Sequence, residues 1–315
     1  MSIRPDLRLP VSAAQAIVDT VLTGHTVAAV SDIHGGEIAA IYEIAFVADK
    51  PPVVLKVYPD SLHWKMQKEV TVISLVEGCL SVPAPRILLA DDSKRLLDLN
   101  FVLMTRLPGS NLGRLESRLT ADQRASAYRQ IGGLLREFHR IPMDAFGYIG
   151  SRGISAAHAT NRDYLSHQCD RKLREFADRG GSADLARRIA AYFSTRMHLL
   201  HECSHAVLCH NDLHAGNLLA GITDHGVRLS GVLDFEGALA GDPLMDLAKA
   251  LFYLNAADRS ALLDGYGDTG RRQWSQVLEF YHLYFVLELW CWMAQIGNAQ
   301  PLHALARDLA RCLHV

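Results

Sequence analysis

His210-Asn211-Asp212-Leu213-His214-Ala215-Gly216-Asn217, followed by Gly231-Val232-Leu233-Asp234-Phe235-Glu236, is the stretch on which the fold turns. The first segment has the pattern HxDxxxxN, and the second is an apolar strand that ends on an acid. Phosphoryl transfer needs such a set. Its transition state is loose and charged, so the protein must place metal ions and orient an acceptor hydroxyl. In that chemistry Asp212 takes the hydroxyl proton, while the Asn217 amide oxygen and Asp234 hold Mg²⁺. Magnesium prefers hard oxygen ligands and keeps some waters, so two protein ligands plus nucleotide oxygens suffice. The bland alternative makes Asp212 and Asn217 turn residues and Asp234 a loop cap. A matching upstream half weighs against it.

That half is Lys56, inside Val53-Val54-Leu55-Lys56-Val57-Tyr58, with Glu69 on the next helical stretch. A lysine in an apolar strand is costly without a partner. An ion pair from Lys56 to Glu69 would hold the amine against the α- and β-phosphates. The competing reading is a snorkelling edge-strand lysine. Further upstream, Gly35-Gly36 would let backbone N–H groups approach phosphates, although a tight hairpin turn explains the pair equally well. Neither G-x-x-x-x-G-K-[ST] nor G-x-G-x-x-G occurs, so the P-loop and dinucleotide-binding readings fail.

Working outward, 41–47 and Val53–Tyr58 read as a hairpin, and 63–77 has apolar residues at helical spacing. Residues 87–90 and 101–104 read as two more short strands, and Leu107-Pro108-Gly109-Ser110 as a linker. Beyond it, 121–139, 184–201 and 272–296 are helical in pattern. The expected architecture is α+β and two-lobed. A small β-rich nucleotide-binding lobe spans 1–107, and a larger, mainly helical catalytic and acceptor-binding lobe spans 108–315.

Composition excludes several classes. The chain has 315 residues, 49% of them hydrophobic, with 32 Lys+Arg against 34 Asp+Glu. That is too apolar for a disordered chain. The balanced charge argues against a nucleic-acid partner. The most apolar stretch, 280–296, carries His282 and Glu288 and is short for a membrane span, so a buried helix is expected. No apolar signal core opens the chain. The six cysteines form no CxxC pair, which points to reduced thiols in a cytoplasmic protein, either monomer or homodimer. His201, Cys203, His205, Cys209 and His210 crowd together, but their spacing matches no common zinc pattern.

Together the Gly35-Gly36 loop, VVLKVY, Glu69, VPAPRILLA, FVLMTRLPG, CHNDLHAGNLL and GVLDFEGALAGDPLMDLAKAL resemble the aminoglycoside phosphotransferase family, whose fold is similar to that of protein kinases. The resemblance implies an ATP site between the lobes, with GTP as the alternative donor. Met104 would line the adenine pocket, and the backbone of Thr105 to Leu107 would hydrogen-bond the base. It implies Asp212 as the catalytic carboxylate, Asn217 and Asp234 on magnesium, and an aminoglycoside or related antibiotic as first acceptor, hence a resistance function. Two departures stand out. Ile38 and Ala39 occupy positions where the family usually has polar residues. The 108–315 lobe has 22 basic and 22 acidic residues, where family members acting on polycations usually present an acidic cleft.

Only 235–241 separate Asp234 from Asp242, and no APE follows, so no protein-kinase activation segment fits. The expected acceptor is a hydroxyl of a small molecule. Glu288, an acid in an apolar helix, needs a partner: a substrate ammonium or an internal arginine or histidine. Glu236 would face magnesium or substrate. Asp242-Pro243 reads as a helix N-cap with proline at the first position, and Asp246 either as a support for the catalytic loop or as a plain helix-start acid. The rival enzyme class is a kinase of an amino alcohol or sugar. The rival from another class is a silent nucleotide-binding module, which would be expected to lack at least one of Lys56, Glu69, Asp212, Asn217 and Asp234.

Overall fold

In the strand Val53–Tyr58, alternate residues face opposite sides, and both sides are buried. Leu55 and Val57 join one apolar cluster with Ile17 and Val18 of the helix Val11–Asp19. Tyr58 and the partly buried Val54 join another, with Met66 of the helix His63–Val76. The strand is therefore central, and Lys56 sits on its helix-covered side. Its neighbours make an antiparallel sheet in the order Val27–Asp32, Ala40–Phe46, Val53–Tyr58, Asn100–Thr105, Ile87–Asp91.

The computed structural model describes residues 5, 7–33, 39–224 and 226–313. Gly35 and Gly36 lie outside the described residues. The chain divides into two compact units, both discontinuous. One holds 1–119, 149–153 and 215–236, and the other 120–148, 154–214 and 237–315. The single boundary expected after 107 does not follow this division. The reason is strand pairing: Ser110–Asn111 pairs with Leu218–Thr223, which pairs in turn with Gly226–Val232. That small sheet draws the Asn217 and Asp234 segments into the first unit.

The second unit is helical around a short β core, in which Ala206–Cys209 pairs with Leu239–Gly241 and with Pro142–Met143. Several of its helices are capped in the ways their sequences prescribe. Thr120 and Gln123 form a reciprocal capping box at Ala121–Phe138. Asp242 accepts from the Leu244 N–H with Pro243 at the first position of Pro243–Leu251, as the sequence suggested. The helix Trp274–Gln295 buries Phe280, Tyr281, Tyr284, Phe285 and Trp290, which accounts for its nearly uninterrupted apolar run. No helix of the described residues is long and apolar enough to cross a membrane.

The helices Ala121–Phe138 and Ala256–Tyr266 approach at two glycines. A Cβ on Gly132 would lie 2.1 Å from the Leu262 carbonyl oxygen, and one on Gly265 2.0 Å from that of Arg129. Both clashes are with backbone, which cannot rotate away. Gly133, next along the same helix, has only one atom at 4.0 Å. Gly132→Ala and Gly265→Ala should each destabilise by at least about 1–3 kcal/mol, the usual range for overpacking. Gly133→Ala should instead stabilise by up to about 1 kcal/mol through helix propensity. Urea unfolding of the three variants checks both signs.

Candidate active site

In the first unit, the Lys56 ammonium is shared by three carboxylates. Nζ lies 3.0 Å from Glu69 Oε2, 2.7 Å from Glu236 Oε1 and 3.4 Å from Asp234 Oδ1. The side chains of Lys56 and Glu236 are each 8% exposed. Burial disfavours the charge, but Asp234, Glu69, Tyr58 and Glu236 outweigh it and hold the pKa of Lys56 well above its ordinary value. For Glu69 the balance tips the other way. Burial raises its pKa more than Lys56 lowers it, and Asp234 and Glu236 add to the rise. Lys56 is the firm charge of the cluster, because three carboxylates serve one ammonium and each receives only a share. Tyr58 donates a hydrogen bond to Glu69 from the same strand. The structure thus brings together Lys56, Glu69, Asp234 and Glu236. It adds Lys65, whose Nζ is 3.3 Å from Glu236 Oε2.

Asn217 and Asp234 come together through the pairing of Leu218 with Val232, which sets the two residues at the same end of a hairpin. The Leu233 N–H donates to the Asn217 carbonyl at 2.9 Å and locks that end. Asp234 has φ of +64°, a left-handed conformation unusual for a residue with a side chain. The side chains at these two positions are an amide and a carboxylate, hard oxygens suited to Mg²⁺ and poorly suited to softer metals.

The second unit holds Asp212 on a loop that is gripped by its backbone. Asp246, fully buried, accepts from the N–H groups of His210 at 2.8 Å and Asn211 at 2.7 Å. His139 Nε2 lies 3.1 Å from the same carboxylate, and its Nδ1 lies 2.9 Å from the Tyr266 hydroxyl. Asn211 also has a left-handed φ of +59°, and its side chain donates to the Gly237 carbonyl at 3.2 Å. The loop is rigid by construction, and it leaves the Asp212 side chain 44% exposed. His214 Nε2 stands 3.8 Å from Asp212 Oδ2. Among the described residues, the crowd of potential zinc ligands at 201–210 contributes only Cys209 to any metal-like grouping, with His139 and Asp246.

The remaining expected residues fall as follows. Met104 is buried on the strand Asn100–Thr105. The Thr105 N–H already donates to the Arg86 carbonyl at 2.9 Å, and the Leu107 carbonyl accepts from Arg106 at 3.0 Å. Gly231 lies under Leu107, where a Cβ would meet its side chain at 2.7 Å. Glu288 stands in the second unit, 3.0 Å from Lys249 Nζ. Its internal partner is a lysine, not the arginine or histidine expected, because Lys249 reaches it from another helix. Lys249, Lys65 and His139 escaped the sequence reading. Lys249 had a signal: it breaks the apolar run Leu247-Ala248-Lys249-Ala250-Leu251 three residues after Asp246.

Comparison with known proteins supports the same chemistry. A search of curated proteins finds no match. Among solved structures, aminoglycoside phosphotransferase APH(4)-Ia is similar at 17% identity and a TM-score of 0.72, over 97% of this chain and 99% of that one. A thermostable mutant of it, in ternary complex with ADP and hygromycin B, is similar at 18% identity and TM-score 0.72, over 95% and 97%. A GDP and kanamycin complex of APH(2")-IIia is similar at 15% identity and TM-score 0.68, over 95% and 97%. At such identities the likeness establishes the kinase-like fold. The model of the phosphotransferase enzyme family matches residues 30–280, most of the chain, and this protein belongs to that family.

Proposed function

We propose that the chain is a Mg²⁺- and ATP-dependent O-phosphotransferase acting on a hydroxyl of a small molecule, with an aminoglycoside or related antibiotic as the leading acceptor class. The observation that carries this reading is the Lys56 ammonium held 3.0 Å from Glu69 and 3.4 Å from Asp234. A buried lysine so encircled is a fixed cation ready to meet phosphate oxygens. Asn217 and Asp234 would hold Mg²⁺, which when bound neutralises charge on the transferring phosphoryl group. Asp212 would accept the proton as the acceptor oxygen bonds to the γ-phosphorus and the bond to the β-phosphate oxygen breaks. The Asp246 grip on the preceding two N–H groups keeps Asp212 placed for that task. Similar structures carry both ADP with hygromycin B and GDP with kanamycin, which supports a purine nucleotide donor and a polyhydroxylated antibiotic acceptor. A cytoplasmic setting is supported by the six free cysteines.

A second reading, phosphorylation of an uncharged sugar, is favoured by one observation. Glu288, the acid best suited to a substrate ammonium, is already paired with Lys249. Steady-state ADP release across aminoglycosides, sugars and amino alcohols separates the two acceptor classes.

Asp212→Ala should lower kcat by about 10²–10⁴-fold, the usual share of general-base catalysis. Calorimetry should show its Mg·ATP affinity intact, and near-normal turnover would remove Asp212 from the mechanism. Asp234→Ala should weaken nucleotide binding in the presence of Mg²⁺ by at least about tenfold, as loss of a charged ligand implies. An unchanged titration would remove Asp234 from the metal site.

A further inference from the structure

Lys249 occupies the helix Pro243–Leu251, which also carries Asp246. Residues three apart on a helix lie on one face. Asp246 binds the backbone immediately before Asp212, so Lys249 stands one turn further along the face that meets the catalytic loop. The electrostatics agree. Burial works against the charge of Lys249, but Glu288 first, then Asp212 and Tyr253, raise its pKa above the ordinary value. Tyr253 is influenced by Lys249 and Asp212 in turn. A lysine, two acids and a tyrosine therefore share one neighbourhood in the second unit.

The side chain is held with care. Its Nζ stands 4.4 Å from the centre of the Phe285 ring and 3.0 Å from Glu288 Oε2. An ammonium has three donors. Among the described residues Glu288 is the one hydrogen-bond acceptor for them, so two N–H donors are uncommitted. The group is 20% exposed and Glu288 30%. The ion pair joins two helices and lies within electrostatic reach of Asp212, with donors to spare.

We propose that Lys249 determines acceptor specificity: its ammonium, anchored by Glu288, donates to an acceptor oxygen that neighbours the hydroxyl to be phosphorylated. This rests on the phosphotransferase reading above and narrows it. The acceptor is a polyhydroxylated compound that carries a hydroxyl or other oxygen next to the reacting one. An ammonium at that neighbouring position would be repelled by Lys249 and would find Glu288 already neutralised.

The test uses the full chain and the acceptor in the ADP-release panel with the highest kcat/KM. Lys249→Met should lower kcat/KM for that acceptor by about 10–100-fold, the worth of a hydrogen bond to a charged group. It should leave KM for ATP and acceptor-free ATP hydrolysis within about twofold. Lys249→Arg should recover part of the loss. A deoxy analogue lacking the neighbouring oxygen should lose a similar factor with the wild-type chain and little more with Lys249→Met, a double-mutant cycle between residue and substrate atom. If Lys249→Met does not fold, Lys249→Gln keeps a donor to Glu288 and takes its place in the cycle. Three outcomes overturn the proposal: kcat/KM within threefold of wild type, an equal loss of acceptor-free hydrolysis, or full additivity in the cycle. Absence of nucleotide turnover with every acceptor and with water would instead overturn the phosphotransferase reading, and this inference with it.

Discussion

An ammonium buried in a β-sheet cannot stand alone, and Lys56 imposes that condition on the whole first unit. Its three partners come from two places in the sequence: Glu69 on the helix that covers the sheet, and Asp234 and Glu236 far downstream. Each must arrive for the charge to be tolerated. The helix is consequently fixed in rotation, because Glu69 must face the strand while Met66 and Val72 pack inward. The segment after Gly226–Val232 is fixed as well, at the cost of a left-handed Asp234. The second unit obeys a mirror-image condition. There the buried charge is the Asp246 carboxylate, satisfied by two loop N–H groups and His139.

These clusters are not where the stability comes from. A buried ion pair commonly breaks even, or loses, against apolar residues of the same volume. The favourable term comes from the fully buried apolar side chains, such as Ile17, Leu55 and Phe101 in the sheet unit and Phe138, Phe280 and Tyr284 among the helices. The charges are carried at the expense of that term. Their persistence in so dry a setting is a reason to assign them chemistry, since the packing alone would be better served by leucine.

Several parts of this were legible before any coordinates. Lys56 announced itself as a cation in an apolar strand, and the carboxylate it needed lay at helical spacing downstream. Asp242-Pro243 announced a helix start. The HxDxxxxN loop and the acid-terminated strand pointed to the phosphotransferase family through residue type and spacing. Other features depended on long-range pairing, which a sequence does not display. Nothing local ties Ser110–Asn111 to Leu218–Thr223, so the true composition of the first unit was hidden. The helix Asn161–Asp178 was missed because its buried stripe includes polar Asn161 and Gln168 and its remaining surface is densely charged. Glu288 looked unpartnered because Lys249 lies 39 residues away.

The interrupted first unit has a consequence for how the chain is made. Its first 119 residues leave the ribosome early, but 215–236 follow only after the whole 120–214 stretch has been synthesised. At about 5–20 residues per second that interval is roughly 5–20 s. During it, Ser110–Asn111 has no strand to pair with, and Lys56 has Glu69 but neither downstream acid. The nascent sheet is thus obliged to wait, partly built, while helices of the other unit form beside the exit tunnel. Translation speed through 120–214 becomes a folding parameter of a unit to which those codons contribute only 149–153.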